Sequence, residues 1–182
     1  MITVFDKMNK FARGVTGIKS LLLSVITILC LTGCTSFDAR KGSIADLARD
    51  YFSVYAARTE FDRFMSFYAE NAQLEDIIYG NFLQNKSGIR EFLNWDRGSY
   101  RVLGGKNALI VTAQYVDGNT VVTEGYFSAF EYDGKTLGPW LFVIVLEFNH
   151  ENKIVRQTDW INYTPRESFL GGENRNDKIP LR

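Results

Sequence analysis

Residues suited to the common catalytic chemistries are scarce in this chain. It has one histidine, His150, and two cysteines, Cys30 and Cys34. A metal centre built from several His or Cys ligands is thereby excluded, and a histidine-based triad requires His150 itself. His150 falls in a polar stretch between two apolar runs and reads as a solvated turn residue. Gly104-Gly105 lacks the pattern of a phosphate-binding loop and reads as a bend, so neither a metal nor a cofactor is expected. Aromatic side chains are abundant instead: 14 Phe, 9 Tyr and 3 Trp. Small-ligand pockets are lined mostly by apolar and aromatic groups with a few polar ones, so this content suits a small hydrophobic molecule. The 21 basic and 21 acidic residues cancel and leave no footprint for nucleic acid. The 182 residues, 46% apolar, have the composition of a globular chain about one domain long.

The N-terminus is laid out as an export signal. Residues 1–20 carry Lys7, Lys10, Arg13 and Lys19 against one acid, Asp6, and LLLSVITILCLT from Leu21 to Thr32 is uncharged. That run is shorter than the about 20 residues of a membrane span and suits the core of a secretory signal. Leu31-Thr32-Gly33-Cys34 resembles the lipobox of bacterial lipoproteins, whose cysteine becomes the lipidated first residue. The resemblance implies a signal peptide over 1–33, starting at Met1 or Met8, and membrane attachment through lipidated Cys34. It also implies a place in the bacterial cell envelope, with Thr35 favouring the periplasmic face of the outer membrane. The alternative is an uncleaved anchor, or a buried helix beside an incidental cysteine. Removing 1–33 leaves 17 basic and 20 acidic residues.

The elements that must position any site lie between two polar ends, a tether over 34–42 and a flexible tail over 164–182. Ser43 and Asp46 can cap a helix whose apolar stripe is Ile44, Leu47, Ala48, Tyr51, Phe52 and Tyr55. A short second helix carries Phe61, Phe64, Met65 and Tyr68. An extended piece runs from Gln73 to Tyr79, and a third helix starts near Ser87. Strands follow over 108–116, 120–132, 139–149 and 154–163, with turns at Asp117-Gly118 and Asp133-Gly134. WLFVIVLEF, from Trp140 to Phe148, is so continuously apolar that both its faces should be covered. Glu147 shares a face with Leu141, Val143 and Val145 and needs a partner there, for which Arg156 or Arg101 is available. Helices first and antiparallel strands after them make an α+β domain over 43–163.

This order, with Phe67-Tyr68-Ala69-Glu70-Asn71-Ala72 leading to Leu74-Glu75-Asp76 and Gly80, resembles the nuclear transport factor 2-like superfamily. Gly88-Ile89-Arg90-Glu91-Phe92-Leu93, Lys153-Ile154 and Asp159-Trp160-Ile161-Asn162-Tyr163 extend the similarity to its SnoaL-like and ketosteroid-isomerase-like branches. The resemblance implies a cone: N-terminal helices packed on a curved, mostly antiparallel sheet around a pocket. Tyr51, Tyr55, Trp95, Tyr126, Phe127, Trp140, Trp160 and Tyr163 are its candidate lining, each with an ordinary core place as the alternative. A homodimer through the exposed sheet is implied as well.

Ala72-Gln73-Leu74-Glu75-Asp76 matches the isomerase segment whose last carboxylate moves a proton beside the substrate carbonyl. Asp76 therefore takes that role by resemblance, or else a structural one bonding turn amides. In SnoaL-like cyclases the acid–base carboxylate lies on later strands, which points to Asp159, Glu147 or Glu124. If Asp159 faces inward, Ile161 and Tyr163 do so too, and Trp160 and Asn162 face outward. The isomerase's oxyanion donors are missing: their positions fall on Phe52 and Ile144. Two functions remain. One is a lipid-anchored, non-catalytic domain binding a small hydrophobic ligand or a partner. The other is an isomerase, cyclase or dehydratase using Asp76 or Asp159 as acid–base.

Overall fold

A computed structural model describes residues 43–163 and 174–180. The expected signal, Cys34 with its tether, and residues 164–173 and 181–182 of the expected tail lie outside the described residues.

Ser43 opens α1 (Ile44–Ala57). Its Oγ accepts the Asp46 N–H at 3.2 Å, and Asp46 Oδ2 accepts the Ser43 N–H at 3.0 Å. This box satisfies two amides that a helix start leaves without partners. Of the stripe, α1 buries Ala48, Tyr51, Phe52 and Tyr55, and it buries Val54 besides. α1 stops at Arg58, whose left-handed backbone (φ 50°, ψ 38°) returns its N–H to the Val54 carbonyl. α2 (Phe61–Ser66) buries Phe64 and Met65. α3 (Asn85–Phe92) begins before the expected Ser87, because Asn85 Oδ1 accepts the Gly88 N–H at 3.0 Å and the Ser87 hydroxyl at 2.7 Å.

Among the described residues nine strands occur in chain order: β1 (Tyr68–Asp76), β2 (Asn81–Gln84), β3 (Tyr100–Val102), β4 (Leu109–Asp117), β5 (Thr120–Phe127), β6 (Phe130–Tyr132), β7 (Lys135–Leu137), β8 (Trp140–Phe148) and β9 (Ile154–Ile161). Six form a sheet in the order β2-β1-β9-β8-β5-β4, and β3, β6 and β7 form a small second sheet. All pairings are antiparallel except β1 with β9. The helices pack against this sheet, giving the α+β architecture expected from the sequence.

Three strand details differ from expectation. The extended piece begins at Tyr68 rather than Gln73, and β2 is additional. The expected strand over 154–163 stops at Ile161, and this strand, β9, lies between β8 and β1. The expected strand over 120–132 divides after Phe127. There Ser128 donates its N–H to Ala108 O at 2.9 Å and its hydroxyl to Asn107 O at 2.8 Å, and Phe130 begins β6 in the second sheet.

Register shifts between Tyr68 and Gln73 and between Val111 and Ala113 mark bulges, which bend and twist a strand. Beside the second, a Cβ on Gly125 would collide with the Ile110 carbonyl oxygen and lie 2.6 Å from Phe142 Cζ. Only glycine fits that approach.

On β8, Phe142, Ile144, Leu146 and Phe148 are buried in the core, while Leu141, Val143, Val145 and Glu147 are half-buried on the opposite face. That second face is less covered than the sequence suggests: Trp160, opposite Val143, is 42% exposed. Arg156 lies 3.9 Å from Glu147 and 3.5 Å from Glu75, supplying the partner that Glu147 needs.

Within the stretch expected as a loose tail, residues 174–180 dock on the sheet. Asn176 accepts the Leu141 N–H at 3.0 Å and donates to Asn162 O at 2.8 Å, and Ile179 is buried.

Candidate functional site

The C-terminal end of α1, the segment after α3, the ends of β5, β8 and β9, and the small sheet surround a pocket of about 270 Å³. Small-molecule pockets run from about 300 Å³ upward, so this one suits a compact ligand. Its wall is aromatic: Tyr55, Trp95, Tyr100, Phe127, Phe130, Tyr132, Trp140 and Tyr163 all contribute. Tyr55 and Trp95 stack with centroids 6.0 Å apart, and Trp140 meets Tyr163 edge-on at 4.9 Å and Phe130 at 5.2 Å. Such contacts hold large rings in fixed orientations. At the rim Arg58 lies over Tyr100, its Cζ 4.0 Å from the ring centroid and 5.1 Å from that of Trp95.

The two acids stand together elsewhere. Asp76 and Asp159 are register partners at the ends of parallel β1 and β9, 2% and 7% exposed. Asp76 Oδ1 accepts the N–H groups of Ile78 at 3.1 Å and Tyr79 at 3.2 Å, fixing the turn after β1. Both Asp159 oxygens accept from Gln157 Nε2, at 2.9 and 3.1 Å. Gln157 Oε1 in turn faces the phenols of Tyr51 at 2.9 Å and Tyr68 at 2.5 Å, which are 2.8 Å from each other. Burial pushes the Asp159 carboxyl up to about 7; the Gln157 hydrogen bond opposes this and the Asp76 charge adds to it.

Neither acid is among the residues lining the pocket. Tyr163 connects the two regions: it lines the pocket, and burial with the adjacent Asp76 carboxylate raises its phenol. Tyr55, also on the wall, is raised by burial and then by Asp159.

Of the lining residues expected from the sequence, Tyr55, Trp95, Phe127, Trp140 and Tyr163 reach this pocket. Tyr51 does not; it is wholly buried in the phenol cluster. Tyr126 lies on the other side of the sheet, paired with Ile110 and Leu141, and lines a separate cavity with Lys106 and Pro139. Its neighbour Phe127 points inward, since adjacent strand residues face opposite ways. Trp160 is outward, Ile161 inward and His150 exposed in its turn. Glu124 is exposed and Glu147 is paired with Arg156, so neither is an internal acid. Sequence reasoning missed Arg58, Tyr100 and Gln157. Gln157 was findable, because it stands two residues before Asp159 and shares its face. Tyr100 belongs to a three-residue strand with no periodicity to mark it.

No family model and no curated protein matches the chain. Solved structures do. A protein from Shewanella putrefaciens named as a SnoaL-like polyketide cyclase is 19% identical, covering 68% of this chain and 93% of its own, with a TM-score of 0.55. One from Kribbella flavida named as a ketosteroid isomerase is 18% identical over 75% of this chain and 87% of its own, at 0.52. A ketosteroid isomerase-like fold from Catenulispora acidiphila, in complex with trimethylamine, is 14% identical over 63% and 83%, at 0.51. With its helices laid on a curved, mostly antiparallel sheet, the chain has the nuclear transport factor 2-like fold shared by these SnoaL-like and ketosteroid-isomerase-like structures.

Proposed function

We propose that the domain binds a small hydrophobic molecule in its aromatic pocket and performs no reaction on it. One observation carries this reading. The pocket wall is made of rings, while Asp76 and Asp159 stay off it, bonded to turn amides and to Gln157. The trimethylamine complex of a similarly folded protein supports small-molecule binding by this fold. Titrating the full chain in lipid nanodiscs with N-phenyl-1-naphthylamine, against empty nanodiscs, tests it. Saturable binding that weakens in Trp140→Ala is expected; no binding beyond the blank overturns it.

The basic leader and Leu31-Thr32-Gly33-Cys34 support attachment to the cell envelope through acylated Cys34, on the periplasmic face of the outer membrane. Radiolabelled palmitate should enter the wild type in growing bacteria and not Cys34→Ser. Exposed Trp160 and Tyr115 on the outer sheet face support a homodimer, which a monomer mass in light scattering would remove.

A second reading, an acid–base enzyme, draws on one feature. Asp159 is held near 7 beside Asp76, with Tyr163 linking that pair to the pocket. Carboxyls tuned toward neutrality serve proton transfer. Turnover of an apolar carbonyl compound that disappears in Asp159→Asn would establish this reading over the first.

A further inference from the structure

The geometry points to an apolar carboxylate as the pocket's ligand, its charged end held at the rim by Arg58 and its hydrocarbon body against the rings. This rests on the binding reading above and specifies the chemistry of what is bound. Arg58 is half-buried where α1 ends, and its left-handed backbone sets it beside the pocket. Its guanidinium is stacked over Tyr100 and close to Trp95. Stacking occupies the face of the guanidinium and leaves its N–H edges for an acceptor. The ion pairs of the described residues engage Arg49, Arg63, Arg90, Arg101, Arg156 and Lys86, and none engages Arg58. A guanidinium stays charged at all working pH values, so a partly desolvated one without a carboxylate is a site for an external anion.

Two further observations fix the orientation. The Trp95 indole N–H, on the same wall, is buried without an acceptor among the described residues. It is a second donor on the Arg58 side. At the other side Tyr163 is in electrostatic reach of Asp76 and Asp159, so a negative group there would meet like charge. An anion therefore belongs at the rim, and only the apolar body extends past Trp140 toward Tyr163. The planar fork of arginine matches a carboxylate in two parallel hydrogen bonds, which favours that group.

The test compares 1-naphthaleneacetate with its primary amide, equal in shape and different in charge. Calorimetry uses the full chain in nanodiscs at neutral pH, with empty nanodiscs as the blank. The acid should bind at least about tenfold more tightly than the amide, as expected of a charge-assisted pair. In Arg58→Gln, its fold checked by circular dichroism, the acid should weaken to the level of the amide. Arg58→Lys should keep part of the preference, since charge remains and the stacked fork is lost. Equal wild-type affinity for acid and amide overturns the anionic end and leaves the binding reading intact. Binding of neither overturns both. Persistence of the acid preference in Arg58→Gln overturns the assignment to Arg58.

Discussion

Asp76 and Asp159 sit directly opposite one another across parallel β1 and β9, two carboxylates in one register step with almost no solvent. Nothing cationic is paired with either among the described residues. Asp76 draws on the amides of Ile78 and Tyr79, and Asp159 on the amide group of Gln157.

This pairing makes folding stability pH-dependent in a defined direction. Burial and the Asp76 charge raise Asp159 to about 7, against about 3.9 in an unfolded chain. Between those values the native state holds the proton more tightly than the unfolded state. Stability contributed by this group is full below about pH 4, declines as pH rises to about 7, and is flat above. The whole effect is on the order of 4 kcal/mol. Urea denaturation at pH 5 and pH 8 should show a loss in the wild type that is much smaller in Asp159→Asn. An equal loss in both proteins would place the titrating group elsewhere.

Gln157 should matter more than either phenol it touches. Tyr51, Tyr68 and Gln157 Oε1 make three oxygen–oxygen contacts, and the phenols supply two hydrogens between them. Tyr51→Phe removes one donor and leaves Tyr68 bonded to Gln157, costing about 1 kcal/mol. Gln157→Leu leaves both phenols only each other and strips Asp159 of its donor, costing about 3 kcal/mol or more. Because that hydrogen bond lowers the Asp159 carboxyl, its titration should also move upward in the variant. Chemical denaturation of the three proteins ranks these costs, and equal losses would refute the bridging role.

The framework was legible where one residue pattern dictates one structure. The Ser43–Asp46 box, the α1 stripe and the inward run Asp159, Ile161, Tyr163 all follow from local spacing. What escaped depends on contacts between distant segments. Tyr51 lies on the same helical face as Tyr55 but one turn earlier, where Tyr68 and Gln157 enclose it; Tyr55 reaches the opening. Tyr126 and Phe127 differ by one residue, and the face each takes is set by the β4–β5–β8 register, not by side-chain type. Arg58 is one residue past the end of α1, and only the return of the distant segments carrying Trp95 and Tyr100 gives it rings to lie over.

The two faces of the sheet give a separable binding test. Trp140→Ala should weaken N-phenyl-1-naphthylamine binding about tenfold or more, since a large ring covered by the ligand carries about 1.4 kcal/mol or more. Tyr126→Ala, on the outer face, should bind the probe as the wild type does. The reverse pattern in a fluorescence titration would move the ligand to the cavity lined by Tyr126 and Lys106.

Gly125 is the position where the curvature of the sheet can be tested most directly. In Gly125→Ala the new methyl meets the Ile110 carbonyl and the Phe142 ring together. Phe142 cannot swing aside freely, because it is buried, stacks on Phe52 at 6.2 Å and packs on Phe127 at 5.2 Å. The strain must go into separating β4 from β5, beside the bulge at Val111–Ala113. Overpacking of this kind costs about 1–3 kcal/mol, and collision with backbone sets the upper end. Gly134→Ala is the comparison: its φ is +77° but nothing lies within 4 Å, so it should lose only the about 1–2 kcal/mol of a left-handed alanine. Because Phe127 is a pocket wall residue, Gly125→Ala should also weaken probe binding, and Gly134→Ala should not. Melting curves in which the two alanines cost the same, with unaltered binding, would mean that the sheet relaxes around Gly125 and that its close approach to β4 does not shape the pocket.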